Sequence, residues 1–99
     1  MLDIDRITEI ARNVYRQKLG PKRVEDVKVK ATIDSQGDEA LRVIVVIVPS
    51  ALKYLRRGEE VSAARFEFGE QLERAGEGRF PIVEYATREE LAADGGSGP

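Results

Sequence analysis

The sequence predicts an α+β fold: a single small domain ordered α-β-β-α-β-α, with helices packed on a three-stranded, mainly antiparallel sheet. Three observations predict it. An amphipathic helical period opens the chain, an alternating stretch and an apolar run are joined by turn residues, and a second helical period precedes a proline-led strand. The 99 residues fit one domain, assigned to residues 1–93, with "DGGSGP" (94–99) as a flexible tail.

The first helix is expected over Ile4 to Leu19. Ile7, Ile10, Ala11 and Val14 repeat at helical spacing, Asp3 suits the N-cap, and Gly20-Pro21 ends the helix. "VKVKATID" (27–34) alternates Val27, Val29, Ala31 and Ile33 against Lys28, Lys30 and Thr32, the pattern of a half-buried strand. "SQGDE" (35–39) is turn chemistry, and the run Leu41 to Val48 follows at hairpin distance. Residues 58–75 form the second main helix, with Val61, Ala64, Phe68, Leu72 and Ala75 on its apolar face, Phe66 at the flank and Gly69 inside. "FPIVEYA" (80–86) is the third strand, with Pro81 confined to a strand start or an edge. Thr87 and Glu90 fit a capping box that opens a short last helix through about Ala93.

The second strand is apolar on both faces. Leu41, Val43, Val45 and Ile47 form one; Ile44, Val46 and Val48 make the other apolar beyond Arg42. A one-sided sheet does not require this, so something is expected to cover the second face. The segment "SALKYLRRG" can fold back over it from within the chain, or a partner can supply the cover.

With no cysteine and no histidine, the chain lacks thiol nucleophiles, disulfides, the commonest general base and the usual zinc ligands. The acid pairs Asp3/Asp5, Glu25/Asp26, Asp38/Glu39, Glu59/Glu60 and Glu89/Glu90 lie at helix starts, turns or connections, where carboxylates are favoured for structural reasons. "DID" (3–5) and "DSQGD" (34–38) fall short of a metal loop, and no glycine-rich phosphate loop or nucleophile elbow is present. The reading is a non-enzyme with no cofactor and no metal. No signal-peptide pattern or membrane span is evident, so the expected location is cytoplasmic. Net charge is −2 but uneven: residues 1–57 carry twelve Lys/Arg and eight Asp/Glu (+4), residues 58–99 four and ten (−6).

The order α-β-β-α-β resembles the prokaryotic version of the KH domain, which binds single-stranded RNA or DNA. "PSALKYLRRGEEV" stands where that family's GxxG loop belongs and has only Gly58. This resemblance implies a nucleic-acid surface built from Lys53, Arg56 and Arg57 together with Lys18, Lys22, Arg23, Lys28 and Lys30. The segments "GDEALRVIVVI" and "GEGRFPIVEYATREEL", within residues 37–91, are similar to a group of short bacterial proteins whose genes lie beside HEPN-type or other toxin-like genes. That likeness implies an accessory or antitoxin-like partner protein and brings no catalytic motif.

The first expectation is therefore a small interaction domain that binds a larger protein or a second copy of itself. Its candidate contacts are Ile44, Val46, Val48, Tyr54, Leu55, Arg56, Phe80 and Tyr85, with Leu52 beside them; buried aromatics and arginines dominate such interfaces. Single-stranded nucleic acid is the alternative partner.

Overall fold

Helix α1 (Ile4–Leu19) forms where the period places it. Asp3 accepts the Arg6 N–H at 2.8 Å, and Gly20, at φ 106°, closes the helix with its N–H on the Arg16 carbonyl. The buried face comprises Ile7, Ile10, Ala11, Val14 and Leu19, and also Tyr15, which continues the same stripe four residues after Ala11. The computed structural model describes residues 1–55 and 58–95.

Strand β1 (Val24–Ile33) begins three residues before its alternating stretch. The register against β2 (Glu39–Ile47) shifts between Val24 and Asp26, a bulge that leaves both Val24 and Val27 buried. The alternation fails there, which is why periodicity starts the strand at Val27. Asp34 builds the turn between the strands: its carboxylate accepts the N–H groups of Gln36 and Asp38, both at 2.9 Å, while Gly37 takes φ 85°.

The segment after β2 contains a short helix, α2 (Ala51–Leu55). Ala51 belongs to the main core, and Tyr54 and Leu55 pack against it, so α2 does not blanket the reverse face of β2. Helix α3 (Glu59–Arg74) buries Ala64, Phe68 and Leu72. Ala75 lies past the helix end and is exposed, contrary to the expected stripe. The Glu77 N–H bonds the Leu72 carbonyl and the Gly76 N–H that of Glu73, with Gly76 at φ 85°: a Schellman stop that turns the chain toward β3 (Phe80–Ala86). Thr87 and Glu90 cap α4 (Arg88–Gly95) reciprocally, at 2.9 and 3.2 Å. The helix thus runs two residues beyond its expected end, and residues 96–99 of the expected tail lie outside the described residues.

The result is α+β, with sheet order β1-β2-β3. β1 pairs with β2 antiparallel, and β3 pairs with β2 parallel. α1 and α3 pack together on one face of the sheet, over Leu41, Val43, Val45 and Ile47, all fully buried. Tyr15 sits at the centre, edge-on to Phe68 (5.8 Å between ring centroids) and to Tyr85 (6.2 Å).

On the reverse face, the rows run Asp26–Val46–Ala86, Lys28–Ile44–Glu84, Lys30–Arg42–Ile82 and Thr32–Ala40–Phe80. The folded-back loop expected from the sequence does not cover its middle, because α2 packs on the main core instead. Ile44 is half-buried between Lys28 and Glu84, and Arg42, two residues earlier on β2, bonds Glu84 on β3 at 3.1 and 3.3 Å. Charged side chains thus flank the aliphatic row on both neighbouring strands. Val46 is fully buried; beside it Arg88, just past β3, pairs with Glu25 of β1 and so spans the end of β2.

The Tyr15 and Tyr85 hydroxyls are both buried and make no hydrogen bond among the described residues. Burial, first of all, pushes both phenol pKa values up. An unpaired buried hydroxyl costs about 1–3 kcal/mol, so Tyr15→Phe should leave the thermal midpoint unchanged or raise it. A clear fall in calorimetry would mean that the hydroxyl has a partner. Phe68→Ala, which opens a cavity in the same cluster, should cost about 3–5 kcal/mol in urea unfolding.

Candidate functional site

Between α3 and the start of β3 lies a groove of about 440 Å³, lined by Phe66, Gly69, Glu70 and Glu73 on one wall and Phe80 and Pro81 on the other. Phe66 is 69% exposed and Phe80 64%, so two aromatic rings stand in water along one depression. The helix places Phe66 off its buried stripe, and β3 places Phe80 at the first position of an outer strand. Arg65 lies 5.3 Å from the Phe80 ring centroid and reaches the Pro81 carbonyl at 3.5 Å. A β-carbon at Gly69 would come within 3.0 Å of that guanidinium, so the glycine leaves the arginine its path across the helix.

The groove also meets a buried ion pair. Glu77 has no exposed side-chain surface and Arg79 has 10%, and they meet at 2.9 Å. Glu77 accepts the Leu2 N–H at 2.8 Å and the Arg79 backbone N–H at 2.9 Å, while Arg79 donates to the Leu2 carbonyl at 2.9 Å. The Arg79 side chain is the main reason that the Glu77 carboxyl is held down at about 2; burial opposes this, and the two backbone donors add to it. The Schellman stop delivers Glu77 to this position, so the turn chemistry of Gly76 and the clamp on Leu2 are parts of one device.

A second hollow, of about 490 Å³, lies at the opposite end of the sheet, near the C-terminal end of β2, between Arg23, Ser50, Lys53 and Tyr54. The Arg23 guanidinium stacks 3.9 Å from the Tyr54 ring centroid and donates to the Leu19 carbonyl. It thereby brings the α1–β1 connection against α2.

The expected contact residues fall into different environments. Phe80 is exposed, Ile44 half-buried and Tyr54 half-buried under Arg23. Val46 is enclosed, and so leaves the set of available contacts. Val48, Leu55 and Tyr85 pack against the main core, with the Tyr85 hydroxyl buried. These three were expected at a partner surface because apolar periodicity does not distinguish the rim of a core from an interface. Of the expected nucleic-acid residues, Arg23 and Lys53 converge. Lys18 and Lys22 are exposed near the end of α1, whereas Lys28 and Lys30 lie on the reverse face of β1, in register with Ile44 and Arg42. Arg56 and Arg57 lie outside the described residues.

Sequence reading missed Phe66, Arg65 and Gly69 as a unit. The available signal was an aromatic residue off the apolar stripe, surrounded by glutamates, one turn from an unexplained helical glycine. Several acids have structural duties: Asp3 caps α1, Asp34 ties the turn, and Asp26 pairs with Arg12 at 3.2 Å. Burial pushes the Asp26 carboxyl up, but the Val27 N–H and Arg12 outweigh it and hold it below its usual value. Among the described residues no group of three or more acids is placed to hold a metal, and no helix is long and apolar enough to cross a membrane. No protein family, curated protein or solved structure matches this chain.

Because Glu77 is depressed from 4.5 to about 2, its contribution to stability is present above pH 4.5 and is lost as pH falls through that interval. Glu77→Gln should cost about 3 kcal/mol near neutrality, as expected for breaking a buried pair. It should also flatten the acid limb of the stability profile between pH 4.5 and about 2. Urea titrations at a series of pH values test both; an unchanged acid limb would contradict the assignment.

Proposed function

We propose that this domain is a non-catalytic interaction module that binds a larger protein, in the manner of an accessory or antitoxin-like partner. The observation that carries this reading is the pair of exposed phenylalanines, Phe66 and Phe80, on the two walls of one groove. Exposed apolar surface costs solvation free energy in the isolated domain, and contiguous patches of it mark contact sites. Ile82, 36% exposed and two residues along the same outer strand, lies on the same face of the sheet as Phe80 and extends the patch along β3. Aromatic rings flanked by arginine are the side chains on which interface energy concentrates, and Arg65 lies over Phe80.

A second reading, binding of single-stranded nucleic acid, is favoured by one observation: the Arg23–Tyr54 stack beside Lys53 joins cations to an aromatic face in one hollow. Phosphates would meet the cations and a base the ring. The acidic α3, with Glu59, Glu60, Glu67, Glu70 and Glu73, weighs against a large nucleic-acid footprint on that side of the molecule.

The two readings separate in one affinity experiment from the source cell, scored for both protein and nucleic acid. The interaction reading expects a discrete protein retained by the wild type and lost from a folded Phe66→Ala/Phe80→Ala variant, with retention unaffected by Lys53→Ala. Retention of RNA that falls steeply with salt and disappears with Arg23→Ala/Lys53→Ala would favour the second reading. Equal retention by wild type and the double phenylalanine variant would sink the first.

A further inference from the structure

The groove between α3 and β3 also carries information about what it takes. Its charges divide unequally once internal pairs are removed. Glu77 and Arg79 neutralise each other, whereas Arg65, held by the Phe80 ring and the Pro81 carbonyl, has no carboxylate partner among the described residues and keeps its positive charge in the groove. Glu70 and Glu73 line the same groove, and among the described residues neither forms an ion pair. The groove therefore presents two aromatic anchors beside two carboxylates one helical turn apart that form no ion pair among the described residues, and with Arg65 counted it carries one net negative charge.

The shape of the site is also limiting. Phe66 to Glu73 covers seven helical steps, about 10 Å at 1.5 Å per residue. That length matches roughly three residues of extended chain at about 3.3 Å each. The opposite wall is the start of β3, and among the described residues β3 has β2 as its sole strand neighbour. At Pro81 the backbone offers no N–H and its carbonyl is held by Arg65, so an extended segment on that side is bound through its side chains, which alternate between the aromatic rings and the glutamates.

From this geometry we infer that the groove binds an extended peptide segment of the partner that alternates apolar and Lys/Arg side chains. The apolar side chain enters between Phe66 and Phe80, and the cations meet Glu70 and Glu73. The inference rests on the reading of the domain as an interaction module and specifies the chemistry of its partner. Charge complementarity makes an acidic or neutral segment a poorer occupant of the same groove.

Fluorescence anisotropy of the full chain with a labelled nine-residue peptide alternating leucine and lysine tests it, alongside a peptide with glutamate at each lysine position. Saturable binding of the lysine peptide is expected, with the glutamate peptide at least about tenfold weaker. Phe66→Ala and Glu70→Lys/Glu73→Lys should each weaken the lysine peptide about tenfold or more, while Lys53→Ala leaves it unchanged. Circular dichroism melts verify that the exposed substitutions leave the fold intact. No saturable binding, equal binding of both peptides, or full affinity in the charge-reversed variant would each overturn the inference. Concentration-dependent dimerisation that Phe66→Ala abolishes would also overturn it, because the occupant would then be a second copy; the interaction-module reading would survive. Failure of that broader reading shows differently, as capture of a cellular protein that ignores both phenylalanines.

Discussion

Four side chains on one face of β2 are the plane on which the molecule is assembled. Leu41, Val43, Val45 and Ile47 are all fully buried, and α1, α3 and the inward residues of β1 meet above them. β3 lies parallel to β2, so the chain must cross from one end of the sheet to the other before it can pair. The crossing segment is α2 and α3, and its packing on the shared apolar face fixes which way α3 turns. Ala64, Phe68 and Leu72 turn inward, leaving Phe66, Glu70 and Glu73 along its accessible side. The groove is therefore a by-product of the constraint that buries β2.

The reverse face uses a different physical solution. No helix spreads across Ile44. Instead, Lys28 and Glu84 flank it on the outer strands, and the Arg42–Glu84 pair ties β2 to β3 beside it. Lys28 and Lys30 also make β1 a poor template for another strand, a familiar guard on sheet edges. β3 is guarded differently: Pro81 removes one backbone donor, while Phe80 and Ile82 stay accessible. The two margins of one small sheet thus differ in chemistry, one cationic and the other aromatic and aliphatic.

Much of this was legible in the residues. The period of Ile7, Ile10, Ala11 and Val14, the Asp3 and Gly20 boundaries, and the Thr87–Glu90 box each define local geometry through local forces, and they emerged with the expected bounds or nearly so. Val24 was not legible as strand because a bulge suspends alternation, and alternation is the signal on which strand reading depends. Tyr15 lies on the same period, at i+8 from Ile7, and only its ring partners, Phe68 and Tyr85, depend on residues far along the chain. The candidate site fared less well. Phe80 could be picked out as an aromatic at a strand start, but the groove depends on where α3 passes β3, a tertiary fact with no periodicity of its own. Val46 illustrates the converse: its apolar character suggested a contact, and it lies fully buried within the domain.

The clamp of Glu77 and Arg79 on Leu2 joins residues seventy-five positions apart. Asp3, the next residue, caps α1, so the clamp ties the start of the first helix to the point where the backbone passes from α3 into β3. A single ion pair thereby anchors both the opening residues of the domain and its last crossover.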